Sequence, residues 1–324
     1  MNKLLLIAGG STLAYLVLAV LMGVLPGIML SATPPGPGVT PLTALQAHGR
    51  AVYVASGCSY CHTQQVRPLE QDKAFGRPSA PGDFAYQTPE LLGSERTGPD
   101  LTNVGQRKSS EVWQYIHLYN PRAVVPQSIM PSFEWLFQVV DSAPPGVTPV
   151  ALPKSYAPTH GMVVPKPDAQ ALVAYLLALK QTTLPGYPEA STASAHAPGP
   201  QGPPPSAAPD AAGHEVAKGK ALFTATCAAC HQASGEGLPG AFPALNGNTA
   251  VNDADPTMHI RVVLYGLQGV NVGGVVYPSP MPPFGTTLSD AEVANIINYE
   301  RSAWGNHGGS VTGERVAAER AKGK

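Results

Sequence analysis

The sequence predicts a mainly α-helical protein, with one membrane-spanning helix at the N-terminus and two helical domains joined by a proline-rich linker. Three observations carry this expectation. No charged residue falls between Leu4 and Leu30, the pattern Cys-x-x-Cys-His occurs at 58–62 and again at 227–231, and a Pro/Ala/Ser/Gly-rich stretch over 184–210 separates the two. The 324 residues suffice for two domains with extensions, and 35 Pro with 34 Gly imply long irregular backbone. Lys+Arg (20) and Asp+Glu (21) nearly balance, so the charge carries no signature of a nucleic-acid partner, and none is expected. The expected boundaries are an anchor over 1–32, a first domain over 41–184, a linker over 185–213, a second domain over 214–306 and a flexible tail over 307–324.

The N-terminal run exceeds the ~20 residues a helix needs to cross the hydrocarbon core. A cleaved signal peptide has an apolar region of about 7–15 residues and a small-residue cleavage site. This run is too long and Leu30-Ser31-Ala32 is a poor site, which predicts an uncleaved anchor, kinked near Pro26 and Gly27. Lys3 lies on one side and no basic cluster directly follows Leu30, so the positive-inside rule leaves the start in the cytoplasm. The remainder is then periplasmic, on a single-pass protein of a bacterial inner membrane.

All four cysteines, Cys58, Cys61, Cys227 and Cys230, fall in the two pentapeptides, CSYCH and CAACH. Chance supplies this pattern about a thousandth of a time per chain of such composition. Two thiols one helical turn apart can add to the two vinyl groups of one porphyrin, and the adjacent His62 or His231 then lies beneath the iron. A thioredoxin-like dithiol would need a βαβ context, which is absent; zinc would need a second ligand pair at the usual spacing; disulfides would leave both histidines unexplained. Two covalent haem c groups are therefore expected.

Each haem needs a second axial ligand. Met281 stands between Pro280 and Pro282, ahead of a helix opened by the capping box Ser289-Asp290-Ala291-Glu292, with Val293, Ile296 and Ile297 as its apolar stripe. The order of haem motif, methionine loop and terminal helix resembles class I cytochrome c. Gly219 and Phe223 on the first helix and Tyr299 on the last fit the helix crossing of that family, and Pro243 matches the proline whose carbonyl accepts the proximal histidine N–H. Met258 is expected in the core. The first domain repeats the plan with Gly49 and Tyr53 before its motif, and TGPDLTNVG (97–105) resembles the segment that makes Pro99 the carbonyl partner of His62. A helix is expected from about Ser110 to before Pro121, and another over DAQALVAYLLALK with Asp168 as its N-cap. Met130, followed by Pro131 in VVPQSIMP, is the preferred ligand, and Met162 is its rival. Trp113, Trp135 and His117 are read as core or haem-wall residues.

A more specific resemblance covers residues 1 to about 185. The segments Tyr53 to Pro68, Gly93 to Leu101, His117 to Leu136 and Asp168 to Lys180 resemble the patterns YxxxGCxxCHxQxxRP, GSxRTGPDL, HLxxPRxxxPxSxMPxxxWL and closing helix of the membrane-anchored mono-haem subunit II of cbb3-type cytochrome c oxidases. That resemblance implies an electron-transfer subunit, itself non-catalytic, docked on a haem–copper oxidase catalytic subunit and other oxidase subunits. A periplasmic cytochrome c or a quinol–cytochrome c reductase would be its donor. It also implies a calcium ion at a subunit interface near Ser94, for which an ordinary loop serine is the alternative, and places Arg67 at the haem edge or a subunit contact.

The chain departs from that family beyond residue 185. The linker is a semi-rigid spacer with a reach of up to about 80 Å, and the second domain carries 4 basic and 7 acidic residues, a net −3 that favours a basic donor weakly. Two other classes stay open: a free-standing membrane dihaem cytochrome serving a dehydrogenase or a nitrogen-oxide enzyme, and a dihaem peroxidase with one open iron.

Overall fold

The computed structural model describes residues 2–182, 184, 211–269, 271–272, 275–277 and 279–323. Of the linker expected over 185–213, residues 185–210 lie outside the described residues.

The chain opens with α1 (Asn2–Ala19), a π-helical turn (Val20–Val24) and α2 (Leu25–Ser31). The span Lys3–Met29 has a mean hydropathy of 2.3, and none of it is buried against the rest of the protein. Its leucines and isoleucines are exposed, as on a helix whose apolar surroundings are lipid. The irregularity expected at Pro26 lies one turn earlier, where the Leu25 N–H reaches back to the Val20 carbonyl. A proline ring displaces the carbonyl four residues before it, and a π turn absorbs that conflict without ending the helix.

In the first domain α3 (Ala44–Ala55) starts at a full capping box: the Thr43 hydroxyl accepts the Gln46 N–H, and the Gln46 side chain accepts the Thr43 N–H at 2.9 Å. The short α4 (Val104–Arg107) leads to α5 (Glu111–Tyr119), where the Ser110 hydroxyl accepts the Trp113 N–H at 3.2 Å. Strands β1 (Phe137–Val140) and β2 (Met162–Pro165) pair antiparallel, Val140 opposite Met162, and α6 (Pro167–Ala178) closes the domain. The N-cap of α6 is Lys166, which corrects the expectation for Asp168. Pro167 takes the first helical position, where its missing N–H costs nothing, and Asp168 in the first turn pairs with His48 at 2.8 Å. Trp135 is 59 % exposed, so it is neither core nor cavity wall, whereas Trp113 is 5 % exposed.

α3 crosses α6 at Gly49. A Cβ there would collide with the Ala171 carbonyl oxygen, so the two backbones meet without a side chain between them. Next to the crossing Tyr53 packs edge-on against Tyr175, with ring centroids 5.6 Å apart.

The second domain repeats this geometry. α7 (Ala211–Thr226) begins three residues before the expected domain boundary, and α8 (Ala228–His231), α9 (Thr249–Asn252) and α10 (Thr257–Tyr265) follow. The two-residue strands β3 (Asn271–Val272) and β4 (Val275–Val276) precede α11 (Asp290–Ser302). α11 opens on the Ser289/Glu292 capping box and buries Val293, Ile296 and Ile297 completely. At its crossing with α7, a Cβ on Gly219 would meet the Asn295 carbonyl oxygen, and Phe223 packs against Tyr299 at 5.4 Å. Met258 is 61 % exposed near the start of α10 rather than in the core, which is filled from that helix by Ile260, Val263 and Leu264.

The expectation of a flexible tail over 307–324 is corrected. α12 (Gly313–Ala321), capped by Thr312, buries Val316 fully against the second core. Arg320 ties it down, donating to Asp290 at 2.8 Å and to the Leu288 carbonyl at 2.9 Å. Alternating charges hide this helix in the sequence, because only Val316 and a few alanines form its apolar face.

Gly219→Ala gains helix propensity but forces α7 away from α11. It should lower second-domain stability by about 1–3 kcal/mol, the usual cost of an overpacked core, seen as a lower melting midpoint by circular dichroism. Removing residues 307–324 should lower the same midpoint, which loss of an unattached tail would not do.

Candidate functional site

Both Cys-x-x-Cys-His motifs follow the helix that makes the crossing, and each closes into one tight turn. The His62 N–H donates to the Cys58 carbonyl at 3.1 Å, and the His231 N–H to the Cys227 carbonyl at 3.0 Å. No disulfide joins any of the four cysteines. Burial pushes the Cys58 and Cys230 thiols up to about 11, and raises Cys227 as well. Thiols so placed stay protonated at neutral pH, whereas a redox-active dithiol depends on a depressed pKa.

The imidazoles are held in the same way at both motifs. His62 Nδ1 donates to the Pro99 carbonyl at 2.7 Å, and His231 Nδ1 to the Pro243 carbonyl at 2.9 Å. A carbonyl can only accept, so Nδ1 carries the proton and Nε2 keeps a bare lone pair suited to a metal. Burial lowers the pKa of both rings, which favours this neutral form. Glycine makes each contact possible. A Cβ on Gly98 would run into the His62 ring, and one on Gly237 would meet the Pro243 carbonyl.

A cavity of about 410 Å³ opens beside the second motif, lined by Cys227, Cys230, His231, Met281 and Phe284 among others. Met281 is fixed there because it exchanges both backbone hydrogen bonds with Leu267, at 2.8 and 3.1 Å. Thr226 Oγ1 and Ser279 Oγ line the same cavity and are buried without hydrogen-bond partners, two hydroxyls that can donate to the acidic edge of a bound group, and His259 Nδ1 beside them is likewise unpartnered. The other nitrogen of His259 meets Glu300 at 2.7 Å. An apolar cavity with two thiols, an imidazole, a thioether and a few unpaired polar atoms fits a haem c.

At the first motif Met130 packs against the same hydrophobic cluster as Cys58. Its loop is held by Arg122, which donates to the Met130 carbonyl at 3.0 Å, and by the Ser128 hydroxyl, which accepts the Met130 N–H at 3.3 Å. Met162 sits instead within β2, outside that cluster.

The segment carrying Pro99 is clamped to the one carrying His62 by charges that the motifs only partly revealed. Asp100 accepts from the Gln65 and Thr102 N–H groups at 2.9 Å each. Arg96 donates to the fully buried Asp72 at 2.8 Å and to the Gln65 carbonyl at 2.8 Å, and Arg67, 43 % exposed, donates to Asp72 at 3.1 Å. Arg67 therefore caps this network from the solvent side. Asp72 lies in no motif, and nothing in the sequence distinguishes it from a surface aspartate. Burial acts to raise the pKa of Asp72, but hydrogen bonds from Arg96 and Arg67 outweigh it and hold the carboxyl well below the usual carboxylate range. Ser94 is exposed, and no group of three or more His, Cys, Asp or Glu that could hold a metal ion occurs among the described residues.

Comparison with known proteins places the two halves separately. Residues 2–143 match the family model described as cytochrome c oxidase, mono-haem subunit/FixO, and residues 216–304 match the cytochrome c model. The chain is 43 % identical over 90 residues to cytochrome c-552 of Thermus thermophilus, covering 26 % of this chain and 68 % of that protein. It is 36 % identical over 112 residues to the fructose dehydrogenase cytochrome subunit of Gluconobacter japonicus, and 31 % identical over 103 residues to the cbb3-type cytochrome c oxidase subunit FixP of Azorhizobium caulinodans. These two alignments take in 33 % and 32 % of this chain, and only 22 % and 34 % of the respective relatives.

The depressed pKa of Asp72 fixes a direction for acid sensitivity. Unfolded aspartate titrates near ~3.9, so the network stabilises the first domain above that pH and loses its contribution as pH falls through the lower folded value. Asp72→Asn should remove that acid-dependent loss and cost about 1–3 kcal/mol at neutral pH by taking from Arg96 and Arg67 the carboxylate they share, measured as denaturant unfolding across pH.

Proposed function

Because the chain belongs to the cytochrome c family, we propose that it is a membrane-anchored dihaem electron carrier feeding the catalytic subunit of a cbb3-type haem–copper oxygen reductase. The match of residues 2–143, the anchor and the larger part of the first domain, to the oxidase mono-haem subunit carries this reading. Cys58 and Cys61 would attach one haem c, and His62 and Met130 would hold its iron. Cys227 and Cys230 would attach the other, and His231 and Met281 would hold its iron. Each bound haem supplies a one-electron iron couple, and His/Met ligation raises its potential and leaves no open position.

The protein's own contribution is to hold those ligands still. Pro99 and Pro243 fix the imidazole tautomer and orientation, the proline-flanked loops fix the thioethers, and the apolar walls exclude water, which would otherwise reorganise with each change of charge. Electrons enter the second domain from a periplasmic cytochrome c or a quinol–cytochrome c reductase, pass to the first domain, and leave for the oxidase. Oxygen reduction belongs to the partner. The N-terminal helix anchors the chain in a bacterial inner membrane, with both domains in the periplasm. Arg67, on the solvent side of the Asp72 network, makes a subunit contact, and a calcium ion near Ser94 would need ligands from a partner as well.

A second reading has its own support. The fructose dehydrogenase cytochrome subunit is among the relatives, which favours a dihaem carrier paired with a dehydrogenase. Purifying the native complex from its membrane and identifying the other chains separates the two. A polytopic haem–copper subunit is expected; a dehydrogenase flavoprotein or quinoprotein in its place would overturn the oxidase assignment. Met130→His and Met281→His should each abolish the near-infrared sulfur-to-iron band of one haem and leave the other. The reduced wild-type protein should not bind carbon monoxide, whereas binding at one haem would mark an open iron and a peroxidase-like site.

A further inference from the structure

We propose that Trp113 and His117 of the first domain form the electronic contact between the two haem sites, with the second domain docked so that its cavity opens onto Trp113. The proposal rests on the dihaem reading and adds the route within the chain.

The cavity next to Cys227, Cys230 and Met281 is walled on one side by residues of the other domain. Lys108, Ser110 and Trp113 line it together with the second motif. The contact is packed: Ala229, Leu238, Ala241 and Phe242 are buried in the same hydrophobic cluster as Trp113, and Cys230 packs against that cluster. Lys108 lies with its ammonium 5.2 Å from the centre of the Trp113 ring. Trp113 therefore has one domain's haem motif on one side and its own domain on the other.

On its own side Trp113 stacks on His117, one turn further along α5, with ring centroids 4.5 Å apart and planes 12° from parallel. His117 thereby extends the stack from the cluster against which Cys58 and Met130 of the first motif pack. Its Nδ1 and the Trp113 Nε1 are both buried without hydrogen-bond partners. A close-stacked pair of π systems in a dry interior couples two redox sites better than a water-filled gap does, because orbital overlap falls off more slowly through packed atoms than through solvent. Neither ring needs to change charge. One electron leaves the second-domain iron, which is oxidised, and arrives at the first-domain iron, which is reduced; no bond or proton moves.

The test uses the full-length anchored protein in detergent, with photoreduction followed by time-resolved equilibration between the two haems. Haem content and redox titration accompany each variant. Trp113→Leu should keep two haems and both midpoint potentials while slowing equilibration severalfold, and Trp113→Phe, which retains a ring, should recover most of the rate. Ala241→Arg changes no ligand and places a charge in the docked interface, so it should slow equilibration as well and make it depend on solvent viscosity. It also keeps the proposal testable if Trp113→Leu misfolds. Wild-type rates in Trp113→Leu or in Ala241→Arg, with two haems present, overturn the proposed contact alone. A wild-type chain holding fewer than two haems overturns the dihaem reading, and the contact with it.

Discussion

In each domain the helix before the haem-type motif meets a later one, α3 on α6 and α7 on α11, until a glycine of one rests on a backbone carbonyl of the other: Gly49 on Ala171, Gly219 on Asn295. This close crossing sets where everything else sits. The Cys-x-x-Cys-His motif follows directly from the first helix, so the crossing fixes the position of its histidine relative to the aromatic pair, Tyr53 with Tyr175 or Phe223 with Tyr299. A side chain in place of either glycine would push the helices apart and move the motif away from the proline carbonyl that orients its imidazole.

Charge is scarce in this protein, and much of it is used internally. Asp72 and Asp100 bind the two segments that carry His62 and Pro99. Asp290 and Arg320 secure the last helix, and Glu300 pairs with His259 beside the second cavity. Such pairs are expensive to bury, and their return is positional: each holds a loop that has little apolar surface of its own. The same logic explains why a small set of side chains can keep two long, proline-rich loops in register with a rigid pair of crossed helices.

The relation between the domains is of a different kind. The apolar contact at Ala241 and Phe242 gives the second domain a defined place against the first.

The sequence by itself determined what is local. The haem-type motifs, the capping box at Ser289, the uncharged anchor and the proline-flanked methionines are all contained in short windows whose chemistry is independent of the rest of the chain. The glycines that make the crossings were visible too, through their spacing from the cysteines. Tertiary structure alone decided the rest. Lys166 rather than Asp168 begins α6 because Pro167 takes the first turn, α12 folds back because a pocket exists for Val316, and Met258 stays outside because three neighbours fill the core first. Asp72 became a buried anchor, and Trp113 a wall between two domains, only through partners distant in sequence. Burial and pairing across such separations are properties of the packed chain, and no local pattern of residues encodes them.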